Sequence, residues 1–150
     1  MEMLGEERID APRQKVWEAL NDPEVLRQCI PGCQSLEKIS ENEMTAAVKI
    51  KIGPVSAAFK GHVTLENIDA PNSYTIVGEG KGGIAGFAKG GADVNLIDEG
   101  AQTLLTYDVK AQVGGKLAQM GSRLIDSTSK KLAGQFFTRF NEIVSDNAGA

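Results

Sequence analysis

Residues 46–65, AAVKIKIGPVSAAFKGHVTL, decide the fold. Ala46, Val48, Ile50 and Ile52 alternate with Ala47, Lys49 and Lys51. After Gly53-Pro54 the alternation resumes, with Val55, Ala57, Phe59, Gly61, Val63 and Leu65 set against Ser56, Lys60, His62 and Thr64. A period of two with one apolar side belongs to a half-buried strand. Gly-Pro between two such runs is a turn. The stretch therefore reads as an antiparallel hairpin with one face toward a core.

Outward from this hairpin the same period runs on to Val113. Tyr74, Ile76, Gly78 and Gly80 form the next inner set, followed by Gly90, Ala92, Val94 and Leu96. Thr103, Leu105, Tyr107, Val109, Ala111 and Val113 form the last. With a strand over 35–40 this makes an antiparallel meander of six strands, and Met3–Asp10 adds a seventh. Between that first strand and the meander, Asp10-Ala11-Pro12 opens a helix with Val16, Trp17 and Leu20 as its apolar face. Asn21-Asp22-Pro23 ends it and starts a second, with Asp22 as N-cap and Pro23 as first helical residue. That second helix carries Val25, Leu26 and Cys29 and stops at Pro31-Gly32.

Beyond Gly114-Gly115 the period returns to 3.6. Leu117, Met120, Leu124, Thr128, Leu132, Phe136, Phe140 and Ile143 recur at steps of three or four. They predict one helix of roughly 30 residues, about 45 Å long, with Gly134 as a candidate bend. The expected architecture is α+β: a seven-stranded curved antiparallel sheet wrapped around a long C-terminal helix, with two short helices after the first strand. One domain covers 1–145, and residues 146–150 form a frayed tail.

Composition narrows the functional classes. The chain has 150 residues, 41% hydrophobic and 24% charged, as expected of one globular domain. Its net charge of −4 and the lack of any Lys/Arg cluster along the chain argue against nucleic acid. No apolar run is long enough to span a membrane, and the acidic start MEMLGEERID is unlike a signal peptide. Cys29 and Cys33 make no disulfide framework, so a reducing cytoplasm is the expected location.

The 17 glycines matter through their placement. Gly61, Gly78, Gly80, Gly90, Ala46, Ala57, Ala92 and Ala111 all fall on inner positions, where a packed core would use larger residues. Two readings stand side by side. Small residues let a sheet bend and a helix approach closely, and they also leave room for an apolar ligand. The turns divide likewise. Residues 40–43, 69–73 and 98–100 are polar, whereas 30–33, 53–55, 82–86 and 113–115 are Gly/Pro turns beside Ile30, Val55, Ile84 and Phe87. The apolar rim is the expected mouth of any cavity. The expected ligand-binding residues of cavity and mouth are Ile30, Ile52, Val55, Phe59, Ile84, Phe87, Ala92, Tyr107, Met120 and Leu124.

Catalytic signals are weak. His62, the single histidine, falls on an outward position, and Cys29-x₃-Cys33 has no further ligands for zinc. Gly80-x-Gly-Gly-x-x-Gly86 lies between strands, without the helix N-terminus a phosphate loop needs. Tyr74 and Tyr107 are the polar handles of the inner face, and Glu7 shares that face if Ile9 does. Binding without catalysis, with no metal and no required cofactor, is the favoured reading.

The element order resembles the helix-grip fold of the START/Bet v 1-like (SRPBCC) superfamily. Leu20-Asn-Asp-Pro-Glu-Val-Leu26, Cys29-Ile-Pro-Gly-Cys33, Lys51-Ile-Gly-Pro-Val55, Phe59-Lys-Gly61 and Gly80-x-Gly-Gly-x-x-Gly86 resemble the CoxG-like family of carbon monoxide dehydrogenase subunits from about Met3 to Ile143. That resemblance implies an accessory protein that assists or membrane-recruits a molybdenum-containing CO dehydrogenase-type hydroxylase. It also implies a bound lipid or quinone and a cytoplasmic place, peripheral at the inner face of the membrane. The chain departs from many relatives in ending Asp146-Asn-Ala-Gly-Ala150, without their C-terminal extension. Two alternatives remain open at this point. One is a polyketide cyclase/dehydratase-like enzyme using Glu7, Tyr74 or Tyr107. The other is a pure interaction module whose cavity is filled by side chains, with Phe137, off the helix stripe, as a contact for the partner oxidoreductase.

Overall fold

The alternating runs pair into one sheet. The structure, a computed structural model, describes residues 1–148, with side chains through 145; the expected frayed tail over 146–150 falls outside the residues described in full. Seven strands, β1 (Glu2–Ile9), β2 (Cys33–Ser40), β3 (Glu43–Ile52), β4 (Val55–Asp69), β5 (Ser73–Lys81), β6 (Phe87–Glu99) and β7 (Gln102–Gly114), lie in the order β1-β7-β6-β5-β4-β3-β2. All pairs are antiparallel, so each strand of the meander meets its sequence neighbour and β1 adds to β7. The register keeps the inner sets together: Ala46 faces Gly61, Ile76 faces Ala92, and Ala92 faces Val109 on its other side.

Two short helices, α1 (Arg13–Leu20) and α2 (Pro23–Cys29), form the corner after β1. The Glu24 N–H donates to Asp22 Oδ1 at 2.9 Å, satisfying an amide that the first helical turn leaves without a partner. Wholly buried Thr103 donates to the Ala11 carbonyl at 2.8 Å and ties the start of α1 to β7. Val16, Trp17 and Leu20 are buried as their spacing predicts.

The last helix departs from expectation. Gly115–Met120 is a 3₁₀ turn, and α3 spans Ser122–Ala148. Gly121, with φ of 87°, separates them, because the left-handed backbone there cannot continue a right-handed helix. Leu117 and Met120 are therefore not part of the helical stripe. The inward face of α3 is set instead by Ala133, Phe136, Phe137, Phe140 and Val144.

The core lies at the polar-turn end of the sheet. Ile9, Val16, Leu96, Leu105, Phe140 and Val144 are almost fully buried there, with Trp17 edge-on to Tyr74 at 5.3 Å. The Asp10 N–H donates to Asn141 Oδ1 at 2.9 Å and fixes the same part of α3 to the β1–α1 junction. At the opposite end Met120 and Leu124 lie over the Gly53 turn, where a Cβ would come within 2.8 and 2.9 Å of their methyl carbons. The helix is thus anchored at both ends and bridges the sheet between them.

Small inward residues serve two purposes. A Cβ on Gly90 would meet the Lys110 carbonyl oxygen at 2.1 Å, so that glycine exists for backbone approach, whereas a Cβ on Gly80 would meet nothing within 4 Å. Gly90→Ala should cost about 2 kcal/mol or more, since backbone must move. Gly80→Ala should be neutral or stabilising by up to about 1 kcal/mol through reduced chain entropy. Urea unfolding of the pair checks this, and equal effects would refute the distinction.

Candidate functional site

Between the bridging helix and the sheet lies a cavity of about 340 Å³. Known ligand pockets run from about 300 to 1,000 Å³, and this volume falls at the lower end of that range. Its sheet wall comes from the inner sets of β3 to β7, with Ala46, Val63, Ile76, Ala92 and Val109 among them. Met3 of β1, Leu20 of α1, Leu26 of α2 and Ile30 close its flanks, and Ala133, Phe136 and Phe137 of α3 form its roof. No lining side chain is charged. A charged ligand would lose its hydration there without a partner, so the walls favour a neutral, apolar occupant.

Tyr74 and Tyr107 are the polar side chains on the wall, while Thr45 borders it from the outward phase of β3, between Met44 and Ala46. Tyr74 is buried, and desolvation holds its phenol well above the ordinary range, so it stays a neutral hydroxyl at any working pH. Tyr107 is also raised, first by burial and then by the negative charge of Glu7. Its ring lies across β1 because Gly5 carries no side chain; a Cβ there would be 2.2 Å from Tyr107 Cζ. Tyr107 then stacks on Phe137, with centroids 5.5 Å apart and planes 15° from parallel, and Phe137 meets Phe136 edge-on at 5.0 Å.

Of the residues expected to bind ligand, Ile30, Ala92 and Tyr107 line this cavity. Ile52, Val55, Phe59, Ile84, Phe87, Met120 and Leu124 lie outside its walls, toward the Gly/Pro-rich rim. The reason is visible at the turns: Phe59 covers Gly82, Phe87 covers Gly114, and Met120 and Leu124 cover Gly53. Gly53, Gly82 and Gly114 receive these side chains, whereas Gly83 and Gly121 face open space. Ile84 remains 84% exposed at the tip of the turn between β5 and β6.

Two further expectations are corrected. Ile9 does face inward, yet Glu7 does not reach the cavity; it lines an outer depression beside Phe137. Phe137 faces the cavity, where it is held by two aromatic neighbours, and is half-buried, also bordering the outer depression. Leu36 and Met44 are wall residues absent from the expected set, although extending the alternation back from Ala46 places Met44 inward.

The remaining reactive groups stand apart. His62 Nε2 lies 3.1 Å from Glu43 Oε2 on the outer face. Cys29 is buried and its thiol is pushed up to about 11 by desolvation, which keeps it unreactive near neutrality. Among the described residues no group of His, Cys, Asp or Glu is arranged to hold a metal ion.

A cavity and a packed core respond oppositely to added volume. Ala92→Phe should keep the melting temperature near or above wild type, because the ring enters existing space, and should abolish uptake of a neutral apolar fluorophore. A loss of roughly 1–3 kcal/mol in stability would instead be the mark of overpacking.

Comparison with known proteins agrees with this architecture. A conserved protein from Geobacillus kaustophilus superposes with a TM-score of 0.91 at 31% identity, covering 97% of this chain and 96% of its own. A START superfamily protein from Mycobacterium smegmatis gives a TM-score of 0.65 at 15% identity, covering 99% of this chain and 97% of its own. The Zhui aromatase/cyclase from Streptomyces sp. R1128 gives 0.66 at 11% identity, covering 96% and 93%. At such identities the last two show a shared helix-grip fold alone. No curated protein matches the chain. Residues 5–145 match the family described as CoxG, a carbon monoxide dehydrogenase subunit, and the chain belongs to that family.

Proposed function

We propose that the chain is a non-enzymatic accessory protein that holds a neutral lipophile, a lipid or quinone, and assists a molybdenum-containing CO dehydrogenase-type hydroxylase. The observation that carries the ligand is the uncharged 340 Å³ cavity under α3. Membership of the CoxG family supports the partner. The cyclase-like alternative would use Glu7, Tyr74 or Tyr107. Glu7 lies outside the cavity, which leaves the two phenols on its wall, able to donate a proton but, with their pKa values raised by burial, poor bases near neutrality. An interaction module with a filled interior does not fit a cavity of this size.

Charge distribution supports a peripheral membrane contact. Lysines scattered through the sequence gather near one end of the fold: Lys51, Lys60, Lys81, Lys89 and Lys116 are all exposed toward the Gly/Pro-rich rim, around Ile84. Lys60 and Lys81 are direct cross-strand neighbours, and Lys81 pairs in register with Phe87 and bridges Glu79 at 3.1 Å. The opposite turns carry Glu41, Asp69, Asp98 and Glu99. No helix of the described residues is long and apolar enough to cross a membrane, so such a contact would rest on this rim. An exposed isoleucine on a rim that also carries lysines suits an anionic bilayer surface.

Native mass spectrometry of gently purified protein should show a lipophilic adduct that Ala92→Phe eliminates; a bare mass after lipid-replete expression would overturn the ligand. Lys81→Glu with Lys116→Glu should weaken co-flotation with phosphatidylglycerol vesicles by about tenfold or more, at about 1 kcal/mol per lysine. Unchanged flotation would overturn the membrane contact and leave the ligand untouched.

A further inference from the structure

One side chain belongs to two spaces. The Phe137 ring forms part of the cavity wall and also part of an outer depression of about 440 Å³, whose other sides are Glu7, Thr138, Asn141, Glu142 and Ser145. The inner space is uncharged, and the outer one is polar and dominated by hydrogen-bond acceptors. Glu7 and Glu142 are carboxylates, and Asn141 Oδ1 already accepts from the Asp10 N–H. Phe137 is the one residue shared by the linings of the apolar cavity and the polar depression, the vestibule.

We infer that the cavity's ligand passes sideways between β1 and α3, with Phe137 as the movable wall and the vestibule as the berth of a hydrogen-bond-donating head group. This rests on the ligand reading above. Phe137 is held by ring contacts with Tyr107 and Phe136, so it turns about its own side-chain bonds without breaking the β1–β7 ladder or α3. Gly5 assists, because the missing Cβ leaves the Tyr107 ring space above β1. At the rim the covering is of another kind: a Cβ on Gly86 would lie 2.0 Å from the Gly114 carbonyl oxygen and Met120 and Leu124 sit on Gly53, whereas Gly80 and Gly83 face open space. An amphipathic molecule with a neutral hydroxyl head satisfies both spaces, whereas a fatty-acid anion would set its carboxylate against Glu7, Glu142 being already paired with Arg139 at 3.2 Å.

Stopped-flow exchange of the neutral fluorophore N-phenyl-1-naphthylamine tests the passage. Phe137→Ala should raise the association rate by about tenfold for the lost ring contacts, with the dissociation rate rising at least as much because a wall contact of the ligand is lost too. Phe137→Trp should slow both. Rates unmoved by either variant, or moved only by Ile84→Ser at the rim, overturn the passage. Competition of 1-decanol against decanoate for the bound fluorophore tests the berth. The wild type should prefer decanol, and Glu7→Gln should narrow the preference; a preference that Glu7→Gln leaves intact overturns the berth. Wild-type protein that takes up no fluorophore overturns the ligand reading itself, and the passage with it.

Discussion

The structure depends on how α3 is held. Near its C-terminal end Phe140 and Val144 enter a core with Ile9, Val16, Leu96 and Leu105. At its start Leu124, with Met120 just before the helix, rests on the Gly53 turn. Removing a buried phenylalanine ring costs about 3–5 kcal/mol, a large part of the roughly 5–15 kcal/mol that stabilises a domain. A helix pinned so firmly at its ends does not settle onto a curved sheet in between. The space under Ala133, Phe136 and Phe137 is the result.

That space takes its chemistry from the residues facing it. Strand alternation puts the lysines outward and leaves small and apolar residues within, so the cavity offers phenol hydroxyls but no charge. The polar groups able to meet a ligand's head lie just beyond Phe137, on the edge where β1 and α3 run past each other. The same scaffold carries a protein called an aromatase/cyclase. A fold shared at 11% identity sets a shape; the side chains inside it set what the shape can do.

Much is legible in the residues alone. The period of two locates β3 to β7 and their inner face, two further short runs are recognisable as β1 and β2, and the Asn21-Asp22-Pro23 corner locates both short helices. Ile30, Ala92 and Tyr107 fall on the ligand side for the expected reason, the alternation of their neighbours and the Gly/Pro turn. The long helix is recognisable by its period, but its start is not. Leu117 and Met120 happen to fall in phase with the stripe that follows, while Gly121 imposes a backbone that spacing does not reveal. Phe137 reads as an outward residue because a stripe drawn from Leu132 and Ile143 is offset from the one that Ala133 and Val144 define.

What the sequence by itself determined is the order of elements, the inner and outer faces of the sheet and the apolar character of whatever lies between sheet and helix. These follow from local periodicity and turn chemistry, which each segment carries within itself. Tertiary structure alone decided where the empty space ends, because that depends on which ring covers which glycine across strands far apart in sequence. It alone brought the scattered lysines to one rim and set Glu7 outside Phe137. Charges from separate strands become neighbours only through register, and a residue's place at a wall depends on what packs on its other side.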